Sequence, residues 1–363
     1  MRYVRKIGKR IPGAWPVYKL LRRTLWELRA LFHGIRTGRI GTWLSRSQLP
    51  VQRSRHVDDP QQVLAAGLYP PDAHVTLLSV SGRAAANRAR ALGQLSSAGD
   101  APRFYDWVDL GERTAFVTGD GEIDPQRLER FTPMRPGDAV QRVLDRSTRD
   151  RLHFGREHVL RGGRYLYQSV PGAGESGRRD TVRRWHRISQ ELRRAGISVD
   201  DRLVLDVGCN SGMLLAEALD AGAAWALGWD LPDIASIGSK LLDAMGFTRF
   251  DLFGRSLSPD YRLADDVPEH LTARLDGSIL FYLAIRHHVG FVADLADLPW
   301  TALVYEGSEF ETAEELPETL APLSARCDFE ITAAYDYRDS EGGSRPLAVL
   351  VRQPVRPRTR SIA

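Results

Sequence analysis

Asp206, Gly208, Gly212 and Asp230 have the types and spacing that suit a bound nucleoside. The first three stand in LVLDVGCNSGMLL, Leu203 to Leu215, where an apolar run meets an acid and breaks into small residues. Gly208 and Gly212 let the backbone turn sharply and approach a ligand, because a Cβ at either position would restrict the dihedrals or block contact. Asp230 ends the next apolar run, 22 residues beyond Gly208, where a carboxylate can accept hydrogen bonds from ribose hydroxyls. A dinucleotide fingerprint wants G-x-G-x-x-G; here Asn210 takes the central position and no third glycine follows, which weakens an NAD reading. A second group could move protons. His287 and His288 are adjacent and of the type that titrates near neutral pH, with Tyr282 and Glu306 as second candidates. Metal binding by the two imidazoles and Glu306 is disfavoured, since neighbouring residues on an extended strand end point apart.

These residues need a scaffold that brings the ends of several strands together. From Val199 onward, strand-like and helix-like runs alternate: Leu203 to Val207, a helix to about Ala221, Ala226 to Asp230, and a helix through Met245. Three further strand candidates follow, Thr248 to Leu252, Ser278 to Ala284 and Thr301 to Glu306. Such alternation predicts an α/β fold with a parallel sheet covered on both faces, whose ligands bind beyond the carboxyl ends of the strands. Phe329 to Tyr337 and Pro346 to Gln353 read as a terminal hairpin joined by RDSEGGS.

This arrangement resembles the class I S-adenosylmethionine-dependent methyltransferases, a Rossmann-like sheet that ends in an antiparallel hairpin and whose first motif is an acid followed by G-x-G-x-G. The resemblance covers residues 199 to 353. Asp206, Gly208 and Gly212 match the motif, and Asp230 matches the ribose-binding acid. Asn210 departs from it, although Asn tolerates left-handed backbone better than most residues. The resemblance implies S-adenosyl-L-methionine as cofactor, with Asp206 and the turn Gly208, Cys209, Asn210 to Gly212 at its methionine portion and Leu231 against the adenine. Within that superfamily, RRWHRISQELRRAGISVDDRLVLDVGCNSGMLL and ILFYLAIRHHVG are similar to the tRNA wobble-uridine carboxymethyltransferase group. Where that group has Tyr-His after its fourth strand, this chain has His287-His288, and ALVYEG ends its strand in a Glu as that group's fifth strand does. His288 thereby becomes the leading candidate base.

The rest of the 363-residue chain bounds location more than chemistry. Residues 1 to 56 carry 14 Lys and Arg against Glu27 alone, a net of +13, so the remainder sums to −9 against an overall +4. Pro16 to Ile35 has the apolar spacing of a basic amphipathic helix, a candidate for an anionic membrane surface through residues 1–50. No apolar run approaches the roughly 20 residues that span a bilayer, and no secretory signal opens the chain. The two cysteines, Cys209 and Cys327, form no CxxC or Cys/His cluster, which argues against a disulfide framework or structural zinc and points to the cytoplasm. Residues 57–198 have no readable fold; within them Gly162 to Arg184 has the composition of a loop that could close over a ligand or equally of a surface linker, and Trp185 to Ala195 reads as a short amphipathic helix that stops at Gly196. Residues 354–363 form a basic tail. The expected organisation is therefore 1–56, 57–198, a methyltransferase domain 199–353, and the tail. The leading functional expectation is a methyltransferase for a small molecule or glycan, lipid-linked acceptors included. The alternatives are a tRNA-modifying (carboxy)methyltransferase, with nucleic acid not favoured for want of an aromatic-basic module, and a non-catalytic nucleotide-binding member of the fold.

Overall fold

A computed structural model describes residues 64, 69–80, 82–110, 113–134, 136–149, 166–170, 177–339 and 342–353. The expected helix over Pro16 to Ile35 and the tail from Arg356 lie outside them. Strands β1 (His74–Leu78), β2 (Phe104–Asp109) and β3 (Thr114–Thr118) form an antiparallel sheet ordered β1-β3-β2. The helix Gly82–Ser97 packs Ala89 and Leu92 against Phe104 and Phe116 of that sheet. Strand β2 escapes pattern reading because Asp106 occupies a buried position. Its carboxylate accepts from the Tyr69 hydroxyl at 2.5 Å and the Trp107 N–H at 2.6 Å, which offsets the burial.

Strands β4 (Leu166–Gln168) and β5 (Gly177–Arg179) pair in parallel. Within the expected loop over 162–184, residues 166–168 and 177–179 are strand and the helix Thr181–Arg194 begins four residues before Trp185, the expected start; residues 162–165 and 171–176 of that loop lie outside the described residues. Asp180 caps that helix, its carboxylate accepting from the Arg183 N–H at 3.1 Å. Nor does a boundary fall at Val199. Trp185, Ile188 and Leu192 of the helix share one buried core with Val204, Leu214 and Phe281.

The main sheet comprises β6 (Leu203–Val207), β7 (Trp225–Asp230), β8 (Phe250–Gly254), β9 (Ile279–Leu283), β10 (Ala302–Glu306), β11 (Phe329–Arg338) and β12 (Ser344–Arg352). Its order is β11-β12-β10-β9-β6-β7-β8. Strands β6 to β10 run parallel, whereas β12 pairs antiparallel with both β10 and β11. Every residue of β6, β9 and β10 is buried, as expected of central strands covered on both faces. The period of two assigns Leu203 and Leu205 to one core and Val204 to the other. Asp206 shares the Val204 face, beside the helix Thr181–Arg194. The order reverses between β6 and β9, so β6 ends at the switch point where such sheets hold ligands. Among the described residues no helix is long and apolar enough to cross a membrane.

Candidate cofactor and acceptor site

The turn after β6 holds three left-handed residues in alternation, Gly208 at φ 77°, Asn210 at φ 51° and Gly212 at φ 72°. Asn210 thus adopts the backbone for which its type is suited, and the departure from G-x-G-x-G leaves the turn intact. A Cβ on Gly208 would lie 2.8 Å from Ile285 Cδ1, so the segment after β9 rests directly on this turn. Asp230 fastens the other side. Its Oδ2 accepts from the Asn210 N–H at 2.7 Å and its Oδ1 from the Leu231 N–H at 2.8 Å. Each oxygen keeps a further lone pair for a hydroxyl. Burial raises the Asp230 carboxyl above its ordinary range, while the Leu231 and Asn210 amides draw it back and Asp233 adds to the rise. Leu231, next in sequence, is 39% exposed, an apolar surface beside the carboxylate.

Two buried acceptors at this turn have no partner among the described residues, Asp206 Oδ2 and Asn210 Oδ1. Buried polar atoms are ordinarily satisfied, so two orphans on one turn mark a place where a donor belongs. Burial pushes the Asp206 carboxyl up to about 7; Arg184 opposes the rise, and Asp230 and Glu306 add to it. Cys209 is fully buried in the same turn. Its thiol is pushed up, by burial first and then by Asp230 and Asp206.

The turn also leans on residues that sequence reading missed. Gln168 Nε2 donates to the Cys209 carbonyl at 3.3 Å, and its Oε1 accepts from the Ser211 hydroxyl and the Met213 N–H, each at 3.1 Å. No periodicity signals a residue that acts from 41 to 45 positions away. Arg184 forms a two-pronged ion pair with Glu306, Nε to Oε2 at 2.9 Å and Nη2 to Oε1 at 2.8 Å. The Tyr337 hydroxyl donates to the same Oε2, and Arg187 lies 3.8 Å from the Tyr337 ring centroid.

That pair corrects the expectation for Glu306. Both carboxylate oxygens are held by a buried cation, so Glu306 is an ion-pair anchor at the end of β10 and not a free base. Tyr282 is corrected likewise: it is fully buried, and its hydroxyl donates to the Gly290 carbonyl. Burial pushes its phenol up, the Val292 amide and Arg286 opposing. Tyr282 therefore braces the loop that carries the imidazoles.

His287 and His288 sit on a helical turn, Arg286–Val289, with ring centroids 3.8 Å apart. The expectation that they point apart fails because the chain turns helical directly after β9. Both are exposed. His287 is held below its ordinary value by burial first, then by His288 and Arg345, with Glu311 opposing and Arg286 adding to the depression. The shift favours the neutral imidazole, the form able to take a proton. Ala284, at the end of β9, adopts φ 56° while its N–H donates to the Glu306 carbonyl at 2.7 Å. Left-handed backbone at a non-glycine residue is costly and concentrates at functional sites.

No family model matches the chain, and no curated protein matches it significantly. Solved structures similar to it include a SAM-dependent methyltransferase of Aquifex aeolicus, at 9% identity over 48% of this chain and 99% of that one, with a TM-score of 0.34. Magnesium protoporphyrin IX methyltransferase of Synechocystis, with SAH bound, is similar at 14% identity over 47% and 83%, TM-score 0.32. The bifunctional kinase-methyltransferase WbdD is similar at 19% identity over 53% and 44%, TM-score 0.34. The fold assignment rests on the sheet itself. Five parallel strands with a switch point at β6, a terminal antiparallel hairpin inserted beside β10, and an acid-led turn at that switch point give the chain the class I methyltransferase-like fold.

Proposed function

We propose that the protein transfers a methyl group from S-adenosylmethionine to a hydroxyl of a small molecule or glycan. The observation that carries this reading is the pair of orphaned acceptors, Asp206 Oδ2 and Asn210 Oδ1, on a turn of left-handed residues tied to Asp230. They fit a group that offers both cationic nitrogen and ribose hydroxyls. Asp206 would face the methionine portion, Asp230 the ribose, and Leu231 the adenine. The cofactor, when bound, supplies an electrophilic methyl on a sulfonium. Within this chain, the β6 turn and Asp230 fix the nucleoside, and His287 or His288 takes the proton that the acceptor hydroxyl loses. Alignment by such groups supplies roughly 7 to 11 kcal/mol in favourable cases, and a base adds about 10²- to 10⁴-fold. Phe310, four residues past β10 and 85% exposed, offers a flat apolar surface on the same end of the sheet. The basic segment 1–50 would hold the protein near an anionic membrane, where lipid-linked acceptors reside.

A second reading, methylation of RNA, is favoured by one feature. Arg183, His186, Arg187, Gln190 and Arg194 line a groove of about 460 Å³ beside Tyr335, with Glu191 paired to Arg194 and Arg183 and Arg187 left as the cations that could attract phosphates. Methyl-labelled S-adenosylmethionine incubated with the protein and a cell extract separates the two. Label in RNase-resistant, glycosidase-sensitive material supports the leading reading; RNase-sensitive label supports the second, and no label contradicts both.

Asp206 makes the cofactor affinity pH-dependent. Its carboxyl ionises near pH 7 in the folded chain, and only the ionised form attracts the cofactor's positive groups. Affinity for S-adenosylmethionine should rise with pH through neutrality, by up to about tenfold per unit below the midpoint. Stability of the ligand-free fold runs the other way. Asp206 ionises later folded than unfolded, so the folded state holds the extra proton between about pH 4 and 7 and loses stability as pH rises through that window. Asp206→Asn should abolish the pH dependence of binding in titrations at acidic, neutral and alkaline pH; an unchanged profile would remove Asp206 from the site.

A further inference from the structure

We infer that Gln168 is a positioning residue of the cofactor site, a polar clamp that sets the β6 turn from outside the parallel sheet; this rests on the reading of that turn as the S-adenosylmethionine cradle. The helix Met213–Asp220 begins at Gly212, which has no side chain with which to cap it. Left uncapped, the first N–H groups of a helix have no partner. Gln168 fills that role from a strand 45 positions upstream, its Oε1 accepting from the Met213 N–H. The same oxygen accepts from the Ser211 hydroxyl, while Nε2 donates to the Cys209 carbonyl. One amide thus holds residues on both sides of Asn210, the residue that replaces the usual glycine and leans on Asp230.

The clamp is itself anchored. Gln168 is 3% exposed and pairs with Arg179 across β4 and β5. Arg179 forms a buried ion pair with Asp339, which lies directly after β11. Next to Gln168, the Ser169 hydroxyl accepts from the Thr181 N–H at 2.9 Å, and its carbonyl from the Thr181 hydroxyl at 2.9 Å. The turn is therefore fixed between the helix Thr181–Arg194 and the terminal hairpin, and its shape depends on a group that both donates and accepts.

Two variants separate a positioning role from general stability. Gln168→Leu keeps the bulk but leaves the Ser211 hydroxyl and the Met213 N–H without their partner, and takes from the Cys209 carbonyl one of its two donors, the Gly212 N–H at 3.0 Å remaining. Gln168→Glu keeps both acceptances, which a negative charge at a helix N-terminus favours, and replaces the donation to Cys209 by a second acceptor oxygen facing that carbonyl, a local cost at one contact. With S-adenosylhomocysteine as the calorimetric probe, Gln168→Leu should weaken binding at least about tenfold and Gln168→Glu less than about threefold. Hydrogen exchange of the ligand-free proteins provides the second arm. In Gln168→Leu, residues 208–213 should lose protection while β6, β9 and β10 keep theirs. Wild-type affinity in Gln168→Leu, or protection lost evenly across the sheet, would overturn the inference. Failure of the wild-type protein to bind the probe would instead sink the cofactor reading, and the exchange pattern would still decide whether Gln168 shapes the turn.

Discussion

Glu306→Ala lowers the stability of the fold by about 3 to 5 kcal/mol, the cost of leaving one partner of a buried ion pair uncompensated. Arg184 is the group left behind. It lies beneath the carboxyl end of β10 with two of its nitrogens on Glu306, and its side chain is only 11% exposed. The Tyr337 hydroxyl loses its acceptor in the same substitution. Urea unfolding with the slope checked for constancy measures the loss. Replacing both partners, Arg184→Met with Glu306→Met, should recover most of it, because an apolar pair of similar volume carries no stranded charge. A loss below about 1 kcal/mol, the range of an exposed pair, would mean that Arg184 does not hold Glu306, and would return Glu306 to the candidate bases.

Asp230→Ala should weaken S-adenosylhomocysteine binding by about 1 to 3 kcal/mol, roughly 5- to 150-fold. Two losses combine in that figure. The ribose hydroxyls lose a charged acceptor, and the backbone loses two contacts, the 2.7 Å bond from the Asn210 N–H that helps hold its left-handed backbone and the 2.8 Å bond from the Leu231 N–H. Asp230→Asn separates them. It keeps a carbonyl that can accept from Asn210 but removes the charge, so its affinity should fall between wild type and Asp230→Ala. Equal affinity in all three proteins would remove Asp230 from the ribose site.

What the sequence revealed and what it hid divide along a physical line. Strands β6, β7, β9 and β10 are short buried runs bounded by turn residues, and each appears within two residues of its expected place. The turn was legible for the same reason, since small residues after a buried strand have few structural uses. Asn210 was readable as a departure from the motif, and its φ of 51° explains why the departure is tolerated. Contacts between distant segments were not legible. Gln168, Arg184 and Tyr337 reach the site from β4, the helix before β6 and the terminal hairpin, and nothing local distinguishes them from surface residues. The same blindness misassigned Glu306 and Tyr282, whose polar atoms are consumed by Arg184 and by the Gly290 carbonyl. A residue type suggests a base, but only its partners decide whether it is free to act as one.

The central claim, that the β6 turn and Asp230 hold S-adenosylmethionine, is tested most directly by calorimetric titration of the full chain with S-adenosylmethionine, S-adenosylhomocysteine and NAD in parallel. Saturable one-to-one binding of the first two, with no measurable binding of NAD, is the expected result. Binding of NAD in their place, or no heat with either sulfur-containing nucleoside at millimolar concentration, would contradict it.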